Sequence, residues 1–394
     1  MKYEVFWKNP GYQPRPKLRQ DIDCDYLIVG GGVTGVSVAY FLAKFGAENA
    51  RGEPGQTIVL IEKKEIASGA TGKAAGTLVL RGEYDVAEVI RKHGTEKGAI
   101  FWREVHEGLT TIKKLINEEN IACDAEPQDT LYCDFKHTRN FSLHAEYEAE
   151  KSIETTTKFL NTKELKEEIN TDLFAHGILS ANHGLSVNPL QLTQNLSKVI
   201  ERYGVKVYEN TAMLHASGNV ARTAHGNISF KKMIVAIDSD YPSKEIRHLK
   251  STIVITRPLS ADELAKTKLG KKKIVFDSKN SYDYFKVTKE GRMLFGFGNL
   301  IVRKKHDKIE PHRPHLKTIR VFMKRLFPYL DLEPEYAWAG SFGITDDYDP
   351  LIKFDGATVA IAGAGTQVTS VMAGKHVARK LLGQPSSLEE FFKD

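Results

Sequence analysis

The sequence predicts a mixed α/β fold in which a doubly wound, parallel-sheet domain shares the chain with a unit built on an antiparallel sheet. Three observations carry this reading. The stretch DYLIVGGGVTGVSVAYFLAKFGA, Asp25 to Ala47, reads as a buried strand, a glycine turn and a helix. The same pattern returns from Thr358 to Gly383 as TVAIAGAGTQVTSVMAGKHVARKLLG. Between them, charged helical segments fill Asp85 to Asn170, and STIVITRPL and RMLFGFGN read as strands of an antiparallel sheet.

The first run carries no charge from Tyr26 to Ala43, which invites comparison with a membrane span. A span needs about 20 apolar residues, and this run is at the short limit with Gly30, Gly31 and Gly32 in its middle, where a helix gains least. No transmembrane segment is expected. The N-terminal stretch MKYEVFWKNPGYQPRPKLRQ has no apolar core followed by a small-residue cleavage site, so secretion is not expected either. Three cysteines without a C-x-x-C pair suit a reducing cytoplasm and argue against a disulfide framework or a structural zinc. The net charge of +6 is mild, and the basic clusters at 271–273 and 303–305 have no interleaved aromatics to stack bases, so no nucleic-acid partner is expected.

Within the first unit, Gly30, Gly32 and Gly35 fall on G-x-G-x-x-G. Gly30 allows the tight turn, Gly32 lets backbone N–H groups approach a pyrophosphate, and Gly35 lets the helix pack close to the strand. The helix N-terminus adds partial positive charge. A second apolar run, TIVLIEKK, ends in Glu62, where a carboxylate would bond a ribose diol and repel a 2′-phosphate. The interval exceeds the usual spacing of about 20 residues, and the polar stretch ENARGEPGQ accounts for the excess as a lengthened loop. A surface Glu at a strand end is the plainer alternative.

The small-residue loop EIASGATGKAAGTLVL follows, and no ribose contact requires it. Such a loop lets backbone pass close to a flat ligand. The C-terminal unit supplies a second helix N-terminus, which FAD could use at the flavin N1–C2=O edge, where reduction builds negative charge. NAD gives it nothing to do. A plain core β-α unit is the alternative for that pattern.

With these segments in order, joined by LSVNPLQLTQNLSKVIERYGVKVYENT, YDYFKVTKEGRMLFGFGN and YAWAGSFGIT, the chain resembles the FAD-dependent amine and amino-acid oxidoreductases related to D-amino-acid, glycine and sarcosine oxidases. Within them it is most similar to the γ-glutamylputrescine-oxidase-like branch. The resemblance implies a Rossmann-like FAD-binding domain (20–84, 180–250 and 335–394) with an interleaved substrate domain on an antiparallel sheet (85–179 and 251–334), after an N-terminal extension (1–19). It implies that Gly30, Gly32 and Gly35 with the amides of Val33 and Thr34 meet the pyrophosphate, and that Glu62 meets the ribose with Lys63 and Lys64 beside it. Thr71, Gly72, Ala74 and Ala75 would line the flavin, Met213 would present backbone to the adenine, and Thr366, Gln367 and Val368 would face the flavin edge. The implied reaction is hydride transfer from the carbon of a small amine or amino acid to the flavin, with oxygen or an electron carrier as final acceptor. Lys286, Tyr284 and Trp338 are the candidates for catalytic residues, with a surface-strand lysine and core aromatics as the plainer readings.

The chain also departs from these relatives. Amino-acid oxidisers place an Arg near the GSFGIT segment, whereas AGSFGITDDYDP carries Asp346, Asp347 and Asp349, an approach better suited to a cationic amine. The loops read GKAAG and GAGTQV where the branch often shows GRNGG and GxSGHG, so Gln367 stands for a titratable His. Leu294 falls near the place of the Lys that sarcosine-oxidase-like members use for oxygen, with Lys286 and Arg292 as candidate substitutes. No cysteine lies beyond Cys133, so FAD is expected to be non-covalent. His183 is a candidate contact for substrate or flavin. HRPH, His312 to His315, lacks a carboxylate partner and starts a helix at Pro314, so no metal is expected there. An NAD-dependent dehydrogenase and a non-catalytic flavin-binding protein are the rival functions.

Overall fold

The structure, a computed structural model, describes residues 1–394 other than 50–55, 81–84, 137–142, 154–155, 271, 279–281, 303–308, 347, 390 and 392–394. The ENARGEPGQ loop and the two basic clusters therefore lie wholly or partly outside the described residues.

One sheet has the strand order Leu351–Asp355, Thr358–Ala362, Asn227–Val235, Ile22–Val29, Ile58–Ile61 and Lys206–Tyr208. All its pairings along this order are parallel except that of the first two strands. A short antiparallel ladder, His215–Ser217 with Val220–Arg222, attaches to Asn227–Val235. The central strands read as unbroken apolar runs, IVLI and TVAIA among them, because helices cover them. The helices Val33–Asn49 and Gln367–Leu381 pack against each other. Close approach is built into the first turn: a Cβ on Gly35 would lie 2.0 Å from the carbonyl oxygen of Gly30, which itself has a φ of +115°.

The second sheet has nine strands in the order Pro334–Ile344, Arg247–Pro258, Arg292–Val302, Tyr284–Val287, Lys273–Asp277, Glu126–Phe135, Phe174–Ser186 and Thr77–Val79, with Thr157–Leu160 also paired to Phe174–Ser186. It is antiparallel except where Lys273–Asp277 runs parallel to Glu126–Phe135. Its side chains alternate as the pleat requires. Val254, Val275, Phe285 and Phe295 join the cluster that packs on the helix Arg313–Leu326, opened by Pro314 as the sequence predicts. Ile253, Ile274 and Tyr284 stand on the opposite face and line a cavity.

Pairing crosses the domain edges drawn from the sequence. Thr77–Val79 and Pro334–Ile344 belong to the nine-stranded sheet, yet the edges at 84/85 and 334/335 assign them elsewhere. Phe174–Ser186 spans the edge at 179/180. Strand partners are chosen by non-local hydrogen bonds, which local composition does not encode. Residues 1–19 are likewise tied in. Lys2 bridges Tyr336, Trp7 and Leu18 are buried, and the Arg15 guanidinium pairs with Glu201 at 2.7 Å. No helix among the described residues is long and apolar enough to cross a membrane.

Because Gly35 leaves no room for a methyl group, Gly35→Ala is expected to destabilise the protein by about 1–3 kcal/mol through displacement of helix from strand. Equilibrium denaturation measures this, and an unchanged midpoint would show that the contact is slack.

Candidate active site

Parallel pairing explains why two distant segments meet. Val29 is the register partner of Val235, and Val235 of Ala360, so the strands Ile22–Val29 and Thr358–Ala362 end at the same edge of the sheet. Two strand spacings, about 10 Å, separate them. Each chain then passes through a glycine-containing turn into a helix, and both helices start at one cavity of about 490 Å³ roofed by the second sheet.

Gly30, Gly32, Val33 and Thr34 line the cavity at one helix start, Thr366, Gln367 and Val368 at the other. First-turn N–H groups have no partner within a helix, and the peptide dipoles leave about half a positive charge at each tip. At the first tip the Val33 N–H is taken up by Thr71 Oγ1 at 3.1 Å. A side chain on Gly32 would meet only that hydroxyl, at 3.4 Å, and would otherwise take up cavity space. At the second, the Thr366 hydroxyl caps the helix by accepting the Thr369 N–H at 3.2 Å. Both carboxamide atoms of Gln367 are buried without a hydrogen-bond partner among the described residues. An unpartnered buried amide costs about 1–3 kcal/mol.

Glu62, Lys63, Lys64, Thr71, Ala74, Ala75 and Met213 also line the cavity, as does Tyr284 on the roof. Glu62 closes the glycine turn as well, accepting the Gly31 N–H at 2.7 Å and the Lys64 N–H at 2.9 Å. Lys63 is paired with Asp240 at 2.7 Å.

Other expected residues stand elsewhere. Gly35 and Gly72 do not line the cavity; both are packing positions, a Cβ on Gly72 falling 2.3 Å from the Ala67 carbonyl oxygen. Trp338 is fully buried behind the wall and donates from Nε1 to the Lys73 carbonyl at 2.8 Å, so it does not face the cavity. Lys286 is also fully buried behind the wall, donating to the Gly76 carbonyl at 2.6 Å and to Ser186 Oγ at 2.7 Å. Leu294 is its cross-strand partner and is fully buried, and Arg292 pairs with Glu335. Asp346 pairs with Arg247 and Asp349 with Lys92, the latter at 3.0 Å, so neither aspartate lines the cavity as an acidic approach; Asp347 lies outside the described residues. The His183 ring packs on His106, 5.8 Å between centroids, away from the cavity lining. His312 and His315 stack edge to face on each other, and no group of three or more metal-ligating side chains occurs among the described residues.

The sequence reading missed much of the lining. Asp238 and Asp240, on the turn after Asn227–Val235, and Ile253, Ile274, Phe276, Tyr282 and Phe342 on or beside the second sheet all face the cavity. Alternation in STIVITRPL placed Ile253 on one face of a strand, but nothing local says which face turns toward the cavity.

Two facing helix starts beneath an antiparallel roof define the class: a dinucleotide-dependent oxidoreductase of the two-sheet type. Residues 25–380 match the family described as FAD dependent oxidoreductase, and the chain belongs to that family. Its cofactor is FAD. The chain is similar to gamma-glutamylputrescine oxidoreductase of Escherichia coli (strain K12), with 27% identity over 96% of this chain and 88% of that one. Among solved structures it shares its fold with glycine oxidase from Geobacillus kaustophilus (TM-score 0.77, 19% identity, 94% and 98% of the two chains). L-proline dehydrogenase from P. horikoshii has the same fold (TM-score 0.76, 18% identity, 95% and 97%).

Burial pushes the Lys286 ammonium down to about 7 from an ordinary 10.5, against the weaker pull of Glu126 and Glu290. A neutral amine has two N–H groups, which match its two acceptors. Between about pH 7 and 10.5 the unfolded chain holds a proton that the folded chain has released, so stability from this group rises with pH across that window. Lys286→Met is expected to flatten the rise. Denaturation of both proteins from pH 6 to 10 measures it, and parallel curves would show that Lys286 does not titrate there.

Proposed function

We propose that the cavity holds non-covalent FAD along its length and that the chain oxidises the C–N bond of a small amine or amino acid. The observation that carries the reading is the convergence of Gly32–Thr34 and Thr366–Val368 on one cavity. The Thr34 amide and the open backbone at Gly32 would hold the pyrophosphate, the Val33 N–H being given to Thr71 Oγ1 instead. Glu62 would hold the adenosine ribose, and Met213 would stand beside the adenine. Thr71, Ala74 and Ala75 would flank the isoalloxazine, with Thr366, Gln367 and Val368 at its polar edge. None of the three cysteines lines the cavity, and all are free thiols, which suits non-covalent binding and a cytoplasmic setting.

The chain divides in this reading into an FAD-binding domain (20–84, 180–250, 335–394) and a substrate domain (85–179, 251–334), the former lending Thr77–Val79, the end of Phe174–Ser186 and nearly all of Pro334–Ile344 to the nine-stranded sheet. Ile253, Ile274, Phe276, Tyr282 and Tyr284 form the substrate's apolar and aromatic side, and no arginine lines the cavity among the described residues. A bidentate carboxylate clamp is therefore not in evidence there, which favours an amine carbon without an adjoining carboxylate. The name of the E. coli relative points the same way. Bound FAD supplies the capacity to accept a hydride from the carbon bearing a neutral nitrogen. The chain's share is to orient that carbon and exclude water, and the imine product then hydrolyses in water. No general base is required, which accords with the withdrawal of Lys286 from the cavity. Oxygen or an electron carrier would take the electrons onward.

The purified protein should be yellow, bleach on anaerobic addition of one member of a panel of amines and amino acids, and recolour in air if oxygen is the acceptor. A protein that binds FAD but bleaches with none of them would refute the proposal. Glu62→Gln should weaken FAD binding roughly 10- to 100-fold, the loss of a charged hydrogen-bond acceptor. Equal affinity by fluorescence titration would remove Glu62 from the ribose site.

A further inference from the structure

The wall segment between the helix Ala70–Lys73 and the strand Thr77–Val79 is held from behind by three remote side chains. Trp338 Nε1 donates to the Lys73 carbonyl at 2.8 Å, Trp7 Nε1 to the Ala74 carbonyl at 2.7 Å, and Lys286 Nζ to the Gly76 carbonyl at 2.6 Å. Trp7 stands beside both of the other anchors. The Trp7 and Trp338 rings meet edge to face with centroids 6.4 Å apart, and Lys286 Nζ stands 5.9 Å from the Trp7 ring centroid. Trp7 is thus central to the group, and it comes from the N-terminal segment that the sequence shows as an appendage.

That segment is tethered on both sides of Trp7. Lys2 donates its N–H to the Glu335 carbonyl at 2.6 Å and accepts the Ala337 N–H at 2.9 Å, which lays residues 1–3 along the strand Pro334–Ile344. The Lys8 carbonyl accepts from Asn188 Nδ2 at 3.2 Å and Gln191 Nε2 at 3.3 Å. Trp7 is 7% exposed and does not line the cavity, whereas Ala74 and Ala75 do.

A trans peptide points its C=O and its N–H in opposite directions. Fixing the Ala74 carbonyl on the far side therefore turns the Ala75 N–H toward the cavity, and that N–H bonds to no described residue. We propose that Trp7 is a positioning residue: with Trp338 and Lys286 it locks the 74–75 peptide so that the Ala75 N–H is presented as a donor to the bound isoalloxazine. This rests on the reading that the cavity holds FAD. Residues 1–8 are then part of the cofactor site at one remove, and the orientation of a flavin-facing donor is set from a segment remote in sequence from every nucleotide-binding motif.

The test uses the full-length holoprotein and its apoprotein, with Trp7→Phe and Trp338→Phe, which keep a ring in each place and remove the N–H. Each should weaken FAD binding about 3- to 10-fold, the worth of one neutral hydrogen bond. Each should also shift the visible bands and the two-electron potential of the bound flavin, a readout separate from the lower melting temperature that an orphaned buried carbonyl gives the apoprotein. The double variant should lose less than the product of the two, since both indoles act on one segment. Parent-like affinity, spectrum and potential in both variants would overturn the proposal, as would a fall in apoprotein stability with an unaltered flavin spectrum and potential. If phenylalanine at position 7 prevents folding, β-(3-benzothienyl)alanine, which has the indole's shape without its N–H, gives the same readouts. A parent protein that takes up no FAD would instead defeat the cofactor reading.

Discussion

Two partial positive charges, one at the start of each of two helices far apart in the chain, are brought to a single cavity by parallel strand pairing, and the rest of the molecule is arranged around that convergence. In a parallel sheet every strand ends at the same edge, so a strand that runs directly into a helix delivers that helix's N–H groups there. The strand Asn227–Val235 lies between the two delivering strands and sets their separation. Unsatisfied amides and aligned dipoles at one edge favour an anionic, hydrogen-bond-accepting ligand, and the small residues beside them let such a ligand approach the backbone.

The second sheet turns that edge into an enclosed site. One face packs on Phe285, Phe295, Phe322 and Phe327, a dense aromatic cluster against the helix Arg313–Leu326. The other face presents Ile253, Ile274 and Tyr284 to the cavity. Rigidity on the packed side matters because a reacting carbon must be held within a few tenths of an ångström of its working position. The wall between the sheets is made of short, small residues, and such backbone would be loose without external anchors. Its carbonyls are taken by two indoles and one lysine amine, all buried, so each bond is sheltered from competition with water.

Lys286 shows how misleading a lone chemical group is. A lysine on an active-site strand invites a catalytic role, and its depressed basicity would ordinarily strengthen the case. Its Nζ, however, is consumed by a backbone carbonyl and a serine hydroxyl behind the wall. Desolvation explains the shift without any catalytic function. The aspartates after GSFGIT teach the same lesson at the surface, where Arg247 and Lys92 neutralise two of them.

Local sequence determined the two strand–turn–helix units, because tight turns demand glycine and buried parallel strands demand continuous apolar runs. It also determined the acidic end of the second strand at Glu62 and the alternation of the roof strands. Tertiary structure alone decided which strands pair, and hence that Thr77–Val79 and Pro334–Ile344 complete the roof. It alone brought Asp238, Phe276 and Tyr282 to the cavity, turned Trp338 and Lys286 away from it, and placed Trp7 behind the wall. The reason is physical: a motif records constraints on residues that are neighbours along the chain, whereas the direction in which a side chain faces is set by packing and hydrogen bonds with partners hundreds of residues distant.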